Sequence, residues 1–419
     1  MKIETQCIRA GYEPKFGEPH VLPIAQSTTY RYESAEQMAD LFDLKTPGYI
    51  YSRIANPTVE AVEKKIAALE GGIAALCTSS GQAAIMIAIM NIAGAGDNFV
   101  CAAEIYGGSI NLFSKTLKQF GIEVRFVSYN MTDEEIAAKF DDRTKAVFGE
   151  TLANPSLNIF DIERFAKIAH TNKVPLIVDN TLATPILCRP IEHGADIIVH
   201  STTKYMDGHA AVVGGVIVDS GKFDWAASGR FPTLTTPDDS YHGMVFTEAF
   251  GPAAYYAKAR VHLMRDMGAC TSAQDAFLLN LGLETLHLRM ERHCSNALAL
   301  AEHLVKHDKV AWVNYPGLAG SKNAPLVEKY MSGQASGIVT FGVKGGYEAA
   351  KAFMNKLQLI TRSVHVADLR TMILHPASTT HRQVDETGQK AAGITPDMVR
   401  ISVGLENIAD IIADIKSAL

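Results

Sequence analysis

No two cysteines of this chain form a C-x-x-C pair, and the six present (Cys7, Cys77, Cys101, Cys188, Cys270 and Cys294) lie far apart. That spacing argues against a disulfide framework and predicts reduced, mostly buried thiols in a cytoplasmic protein. Metal-ligand spacing is also missing: the histidines are scattered, and His287 and His293 are too poorly phased to share a helical face. No run of lysine and arginine marks a nucleic-acid face, and a formal charge of -6 is mild. Residues 1–7 lack the apolar core of a signal peptide. The most apolar stretch, 83–92, is interrupted by Asn91 and runs into Gly94-Ala95-Gly96-Asp97, which is too short to span a bilayer. Neither nucleic acid, membrane nor metal is therefore expected as a partner, and no repeat or low-complexity segment is evident.

What the chain has is apolar residues, 47% of 419, against 20% charged. That describes a large core, and the length suggests about two or three domains. Residues 1 to about 58 lack sustained periodicity and carry Pro14, Pro19, Pro23, Pro47 and Pro57, as a flexible arm or a segment wrapping another surface would. Thr58 is the candidate cap of a helix over 59–69, which Gly71-Gly72 stops. From there to about residue 218, short apolar runs (74–77, 98–102, 122–127, 145–148, 175–178, 196–199, 215–218) alternate with helical candidates at 82–92, 109–120, 132–139 and 160–171. Buried strands alternating with helices predict a mostly parallel α/β sheet with right-handed crossovers. An irregular, aromatic-rich stretch at 219–250 comes next, then a helix at 253–264 and one longer helical stretch over about 272–307. The latter leads into a smaller α/β domain with strands at 338–343, 372–374 and 399–403, and helices at 347–356 and 407–418.

Polar residues recur just beyond the carboxyl ends of the predicted strands, where open α/β sheets bind ligands. Thr78-Ser79-Ser80-Gly81-Gln82 opens a helix, and small residues there let backbone N–H groups approach an anion, although plain strand-to-helix turns look the same. Tyr106-Gly107-Gly108 follows the second run, Glu150 to Pro155 the fourth, and Asp179-Asn180-Thr181 the fifth. An aspartate in that position is more often a turn or cap residue than a catalytic one. His200-Ser201-Thr202-Thr203-Lys204-Tyr205 follows the sixth. Desolvating a lysine there is costly unless it is paired or neutralised, and a Schiff base with a carbonyl cofactor removes the cost. Its two neighbouring hydroxyls could donate to a phosphate. On these six residues alone, a surface lysine in a Ser/Thr-rich loop is the better account. Arg400, within the last strand, wants an anion; a substrate carboxylate is one candidate, and a buried Asp or Glu is the commoner one. Tyr51 and Arg53 read locally as helix-entry packing and a solvated charge.

Together and in order, several motifs resemble the pyridoxal 5′-phosphate (PLP)-dependent enzymes of Cys/Met metabolism, the cystathionine γ-synthase-like family, over essentially the whole chain. They are Tyr51-Ser52-Arg53 with Asn56-Pro57-Thr58, Ser79-Ser80-Gly81, Tyr106-Gly107-Gly108, Asp179-Asn180-Thr181, Ser201 to Tyr205, His375-Pro376-Ala377-Ser378 and Arg400 to Glu406. The resemblance implies a PLP-dependent aminotransferase-like fold (fold type I). Its parts would be a large PLP-binding α/β domain at 59–285, a smaller C-terminal α/β domain at 286–419, and a 1–58 arm contributing to a neighbouring subunit. It implies that Lys204 holds PLP as a Schiff base and later shuttles protons, that Asp179 pairs with the protonated pyridine nitrogen, and that Tyr106 stacks on the ring. The amides of Gly81 and Gln82 and the hydroxyls of Ser201 and Thr203 would hold the phosphate, and Asn154 the phenolic oxygen. Tyr51 and Arg53 would reach the phosphate of a neighbouring subunit, with Tyr51 also close to substrate, and Arg400 would fork onto the substrate α-carboxylate. His365, with Arg362 close by, stands where the family usually has Ser or Asn; it is either a bulkier carboxylate or leaving-group contact or a tolerated replacement.

Within the family, Arg189 to Asp196, Asp219 to Phe223, the 222–250 loop with Ser240-Tyr241-His242-Gly243, and Gly282 to Leu286 resemble the O-acetylhomoserine sulfhydrylase branch. Gly108 stands where methionine γ-lyases have a cysteine, which counts against lysis as the main activity. The expected reaction is γ-replacement of acetate by sulfide or a thiol, giving homocysteine or methionine. The expected assembly is a homotetramer built as a dimer of dimers, and a sulfur-carrier protein is an alternative sulfur donor. Methionine or cystathionine γ-lyase and cystathionine γ-synthase remain alternatives, and a non-catalytic PLP-fold interaction protein a remote one. Substrate choice is expected around His365 and the 222–250 loop.

Overall fold

Seven strands of the first half of the chain form one sheet: β1 (Ala74–Thr78), β2 (Asn98–Ala102), β3 (Glu123–Val127), β4 (Thr144–Glu150), β5 (Leu176–Asp179), β6 (Ile197–His200) and β7 (Gly215–Asp219). The structure, a computed structural model, describes residues 1–380, 382 and 393–419; the remainder of the 286–419 segment lies outside the described residues. The strand order is β1-β7-β6-β5-β4-β2-β3. β3, β2, β4, β5 and β6 run parallel, and only β7 is antiparallel to its neighbours β6 and β1. The central strands β5 and β6 are apolar and buried up to their last residues, Asp179 and His200, as strands covered on both faces must be. Winding direction reverses between β2 and β4, and in such sheets the ligand crevice opens at that switch.

A second sheet holds β8 (Val310–Asn314), β9 (Ile338–Val343), β10 (Thr361–Arg362), β11 (Met372–Leu374) and β12 (Met398–Ser402), in the order β10-β11-β12-β9-β8. Its pairings are antiparallel except β10 with β11. One continuous core runs through both sheets and the helices between them. All six cysteines are unpaired. No helix among the described residues is long and apolar enough to cross a membrane.

Three expectations change. The predicted 272–307 helix is two, Ala273–Glu284 and Leu286–Val305. The break comes where buried Arg289 gathers the Tyr205 carbonyl (2.6 Å), the Gly282 carbonyl (2.6 Å) and the Thr285 hydroxyl (3.1 Å). The helix after the arm begins at Pro57, not at 59, and its cap is Asn56, whose Oδ1 accepts from Thr58 N at 3.0 Å. Proline suits the first helical position because its missing N–H would have no partner there. The Thr58 hydroxyl instead donates to the Pro23 carbonyl (2.7 Å) and accepts from Ala25 N (2.8 Å), fastening the arm. The arm itself contains two short helices, Ile3–Arg9 and Ala35–Phe42, and leaves Phe16, Val21, Phe42 and Tyr51 exposed.

Candidate active site

The loops beyond the carboxyl ends of β1, β2, β4, β5 and β6 converge on one cavity of about 380 Å³, closed on the far side by Val364, His365, Val366 and Arg400. On the large-sheet side, Ser80 caps the helix Gly81–Met90 by accepting from Ala83 N at 3.1 Å. That cap leaves the N–H groups of Gly81 and Gln82 for an anion. Residue 81 must be glycine: a Cβ there would lie 2.6 Å from Ser201 Cβ, so the loops after β1 and β6 close on each other. Asp179, the last residue of β5, accepts from both the backbone N–H (2.9 Å) and the hydroxyl of Thr181. The same hydroxyl oxygen accepts from Ser201 N at 2.9 Å.

Lys204 follows in a turn whose N–H donates to the Ser201 carbonyl (3.2 Å), and its Nζ lies 3.2 Å from His365 Nδ1. Arg400 reaches in from β12, 7% exposed. It donates to Asn154 Oδ1 and to the Val364 carbonyl, both at 3.2 Å, rather than to a buried carboxylate. Its Nε is buried without a partner among the described residues. Tyr106 leaves 52% of its surface open.

Burial sets the electrostatics. It lowers the Lys204 amine to about 8, helped by the positive charge of Arg400, and lowers Arg400 to about 10. Asp179 stands opposite Glu150 across the β4–β5 register. Burial raises both carboxyls, the charge on Asp179 raises Glu150 further, and the Thr181 hydrogen bonds pull Asp179 back down. Burial also lowers the His365 imidazole, with Lys204 acting in the same direction. Among the described residues, one end of the cavity thus holds carboxyls without a cation, and the other an amine and a guanidinium without a carboxylate. Such a site fits PLP: an amine for its aldehyde, a buried carboxylate for its ring nitrogen, an open aromatic face, and a helix amino terminus for its phosphate.

Gly81, Gln82, Tyr106, Asn154, Asp179, Ser201, Thr203, Lys204, His365 and Arg400 all line this cavity. The Thr203 hydroxyl is already tied to Gly214, accepting from its N at 2.9 Å and donating to its carbonyl at 3.2 Å. Tyr51 and Arg53 lie outside, on the arm, with the guanidinium 5.4 Å from the centre of the tyrosine ring. Arg362 turns away and donates to the carbonyls of Met354 (2.9 Å) and Leu357 (3.3 Å), closing the end of helix Gly346–Lys356. The 222–250 loop contributes nothing to the lining; its His242 approaches Asp43 of the arm instead (3.8 Å). Two residues went unassigned in the sequence. Glu150 accepts from Tyr106 N at 2.6 Å and so fixes the aromatic, and Thr181 links Asp179 to Ser201. The signal for Glu150 was a carboxylate ending an apolar strand, as Asp179 does.

Against known proteins, a family model described as Cys/Met metabolism PLP-dependent enzyme matches residues 4–419. O-acetyl-L-homoserine sulfhydrylase 1 of Thermus thermophilus is 49% identical over the full length of both chains. Homocysteine synthase of Schizosaccharomyces pombe is 47% identical over all of this chain and 98% of its own. A Campylobacter jejuni crystal structure containing N′-pyridoxyl-lysine-5′-monophosphate superposes with a TM-score of 0.96 at 39% identity, covering 100% of this chain and 99% of that one.

Proposed function

The chain belongs to the Cys/Met metabolism PLP-dependent enzymes, and from that premise we infer that it is an O-acetyl-L-homoserine sulfhydrylase. It replaces the acetate at Cγ of O-acetyl-L-homoserine with sulfide, giving homocysteine, or with a thiol such as methanethiol, giving methionine. The observation that carries this reading is full-length identity of 45–49% to relatives of that name or named homocysteine synthase.

Bound PLP supplies an electron sink for the charge that develops as substrate C–H bonds break. The chain's residues do the rest. Lys204 Nζ would hold the cofactor and serve as the base for the substrate Cα proton, and burial holds its proton affinity down to about 8. Asp179 would face the ring nitrogen and Tyr106 the ring. Gly81 and Gln82 N–H groups, with Ser201 and Thr203, would hold the phosphate, and Asn154 the phenolic oxygen. Arg400 would take the substrate carboxylate, since its buried Nε has no partner among the described residues. His365 borders the substrate.

Tyr51 and Arg53 serve the phosphate of a neighbouring subunit, and the exposed apolar side chains of the arm support a homo-oligomer, a tetramer built as a dimer of dimers. We place the enzyme in the cytoplasm, with sulfide, a thiol or a sulfur-carrier protein as donor. Incubation with O-acetylhomoserine and sulfide tests the reading: homocysteine is expected. Cystathionine made from added cysteine, without homocysteine from sulfide, would shift it to cystathionine γ-synthase, and 2-oxobutyrate released without sulfide to a γ-lyase.

A further inference from the structure

We propose that Glu150 is a positioning residue of this site: its carboxyl keeps the one proton of a pair formed with Asp179, leaves the negative charge to the carboxyl that faces the cofactor ring, and moors the backbone of Tyr106. The inference rests on Asp179 being the ring's partner in the reading above.

Strand register builds the pair. Glu150 and Asp179 end the parallel strands β4 and β5 as direct partners, and both line the cavity. Strands lie about 4.8 Å apart, and two carboxyls at that spacing, out of water, do not both ionise without a cation between them. Among the described residues no lysine or arginine side chain pairs with either. Lys204 Nζ contacts His365, and Arg400 donates to Asn154 and Val364. One proton shared by the two is therefore the stable arrangement.

The surroundings decide which carboxyl holds it. Asp179 Oδ1 accepts from both the amide (2.9 Å) and the hydroxyl of Thr181, and His200 at the end of β6 also favours its charged form. Asp179 is the more open of the two, half-buried where Glu150 is 5% exposed. Burial and the charge on Asp179 together push the Glu150 carboxyl well up. Cys101 on β2 and Tyr129 beyond β3 face Glu150 as well, and burial keeps both neutral.

A neutral acid is enough for the mooring. Glu150 Oε1 accepts from Tyr106 N at 2.6 Å, which places the proton on Oε2, and the Asn154 N–H approaches the same carboxyl. The loop that presents the aromatic and the loop that presents Asn154 are thus referred to one side chain, which adds no second charge beside the ring nitrogen.

The first test uses apoprotein with ¹³C-labelled glutamate carboxyls, in infrared difference spectra between wild type and Glu150→Gln. Near neutral pH the difference should contain the C=O stretch of a protonated carboxylic acid. Asp179→Asn removes the neighbouring charge, so that band should titrate away at lower pH than in wild type. A difference showing only carboxylate, or a midpoint that Asp179→Asn leaves unchanged, overturns the proposal. The second test uses holoenzyme. Glu150→Ala should speed the loss of PLP about 10-fold and weaken the visible circular dichroism of the bound cofactor as Tyr106 loosens. Glu150→Gln keeps an acceptor for the Tyr106 amide and a donor where the acid carries its proton, and should recover most of both. Equal damage from Ala and Gln would mean that a carboxylate is required, and no damage from either that nothing is moored; each overturns the proposal. The infrared test needs neither cofactor nor substrate, so failure to form homocysteine would sink the sulfhydrylase reading and leave this one standing.

Discussion

The two walls of the cavity are built differently. On the large-sheet side, the hydroxyls of Thr181, Thr203 and Ser80 and one oxygen of Asp179 are engaged by neighbouring backbone or hydroxyl groups at about 3 Å. On the small-sheet side, Arg400 Nε and His365 Nε2 are buried with no partner among the described residues. An unpaired buried donor costs about 1–3 kcal/mol, which a ligand recovers by pairing it. The side-chain hydrogen bonding of one wall is thus largely finished before anything binds, with one Asp179 oxygen and the Gly81 and Gln82 N–H groups left over, as suits a cofactor that stays; the other is left incomplete for a substrate that arrives and departs.

The largest expected effect tests the finished wall. Asp179→Asn keeps the shape and removes the charge, and kcat for homocysteine formation should fall at least about 10²-fold; a loss under threefold would mean the carboxylate is not the ring's partner. Arg400→Lys tests the unfinished wall: losing the guanidinium fork should raise KM for O-acetylhomoserine about 30-fold, or about 2 kcal/mol, with the PLP absorbance band retained. A shift in kcat alone would blur the distinction between the walls.

The amine between the walls gives a smaller, pH-dependent effect. Lys204 titrates at about 8 in the fold against an ordinary 10.5, so between those values the unfolded chain holds more protons at this residue. Apoprotein should therefore gain stability as pH rises from 8 to 10.5, with the penalty fully present below 8. Lys204→Met should abolish that gain in denaturant melts; an identical pH slope would place the amine in water. The smallest effect lies outside both walls, where Asn56→Ala removes a helix cap and should cost about 1 kcal/mol in thermal or denaturant melts while the cavity residues still bind PLP.

How much was legible followed the same division. Gly81, Tyr106, Asp179 and Lys204 sit at or just beyond the carboxyl ends of β1, β2, β5 and β6, so their places after predicted strands put them together at the mouth of the sheet. Lys204 read locally was a loop lysine; only the other strand ends changed that. Where long-range contacts decide, the sequence was silent. The helix break at Thr285 is made by Arg289 reaching across to Tyr205, and no local pattern announces it. β8 escaped notice because it is an edge strand with one buried residue, Val310, and no alternation. Asn56-Pro57-Thr58 offers two capping side chains, and which one caps depends on the arm that occupies the other. Glu150 drew no assignment because its partner, the Tyr106 amide, comes from beyond a different strand.

The Thr181 hydroxyl has one proton to give. Ser201 N–H already points at its oxygen, so that proton can go only to Asp179, and the three groups form a line with a single heading. The two Asp179 contacts lie within one segment, whereas the Ser201 contact crosses from the turn after β5 to the loop after β6, so a slip of β5 by one residue against β6 would break the crossing link alone. The carboxylate thus carries its own hydrogen bonds wherever β5 lies, and the strand register decides only whether it is moored to the loop that bears Lys204.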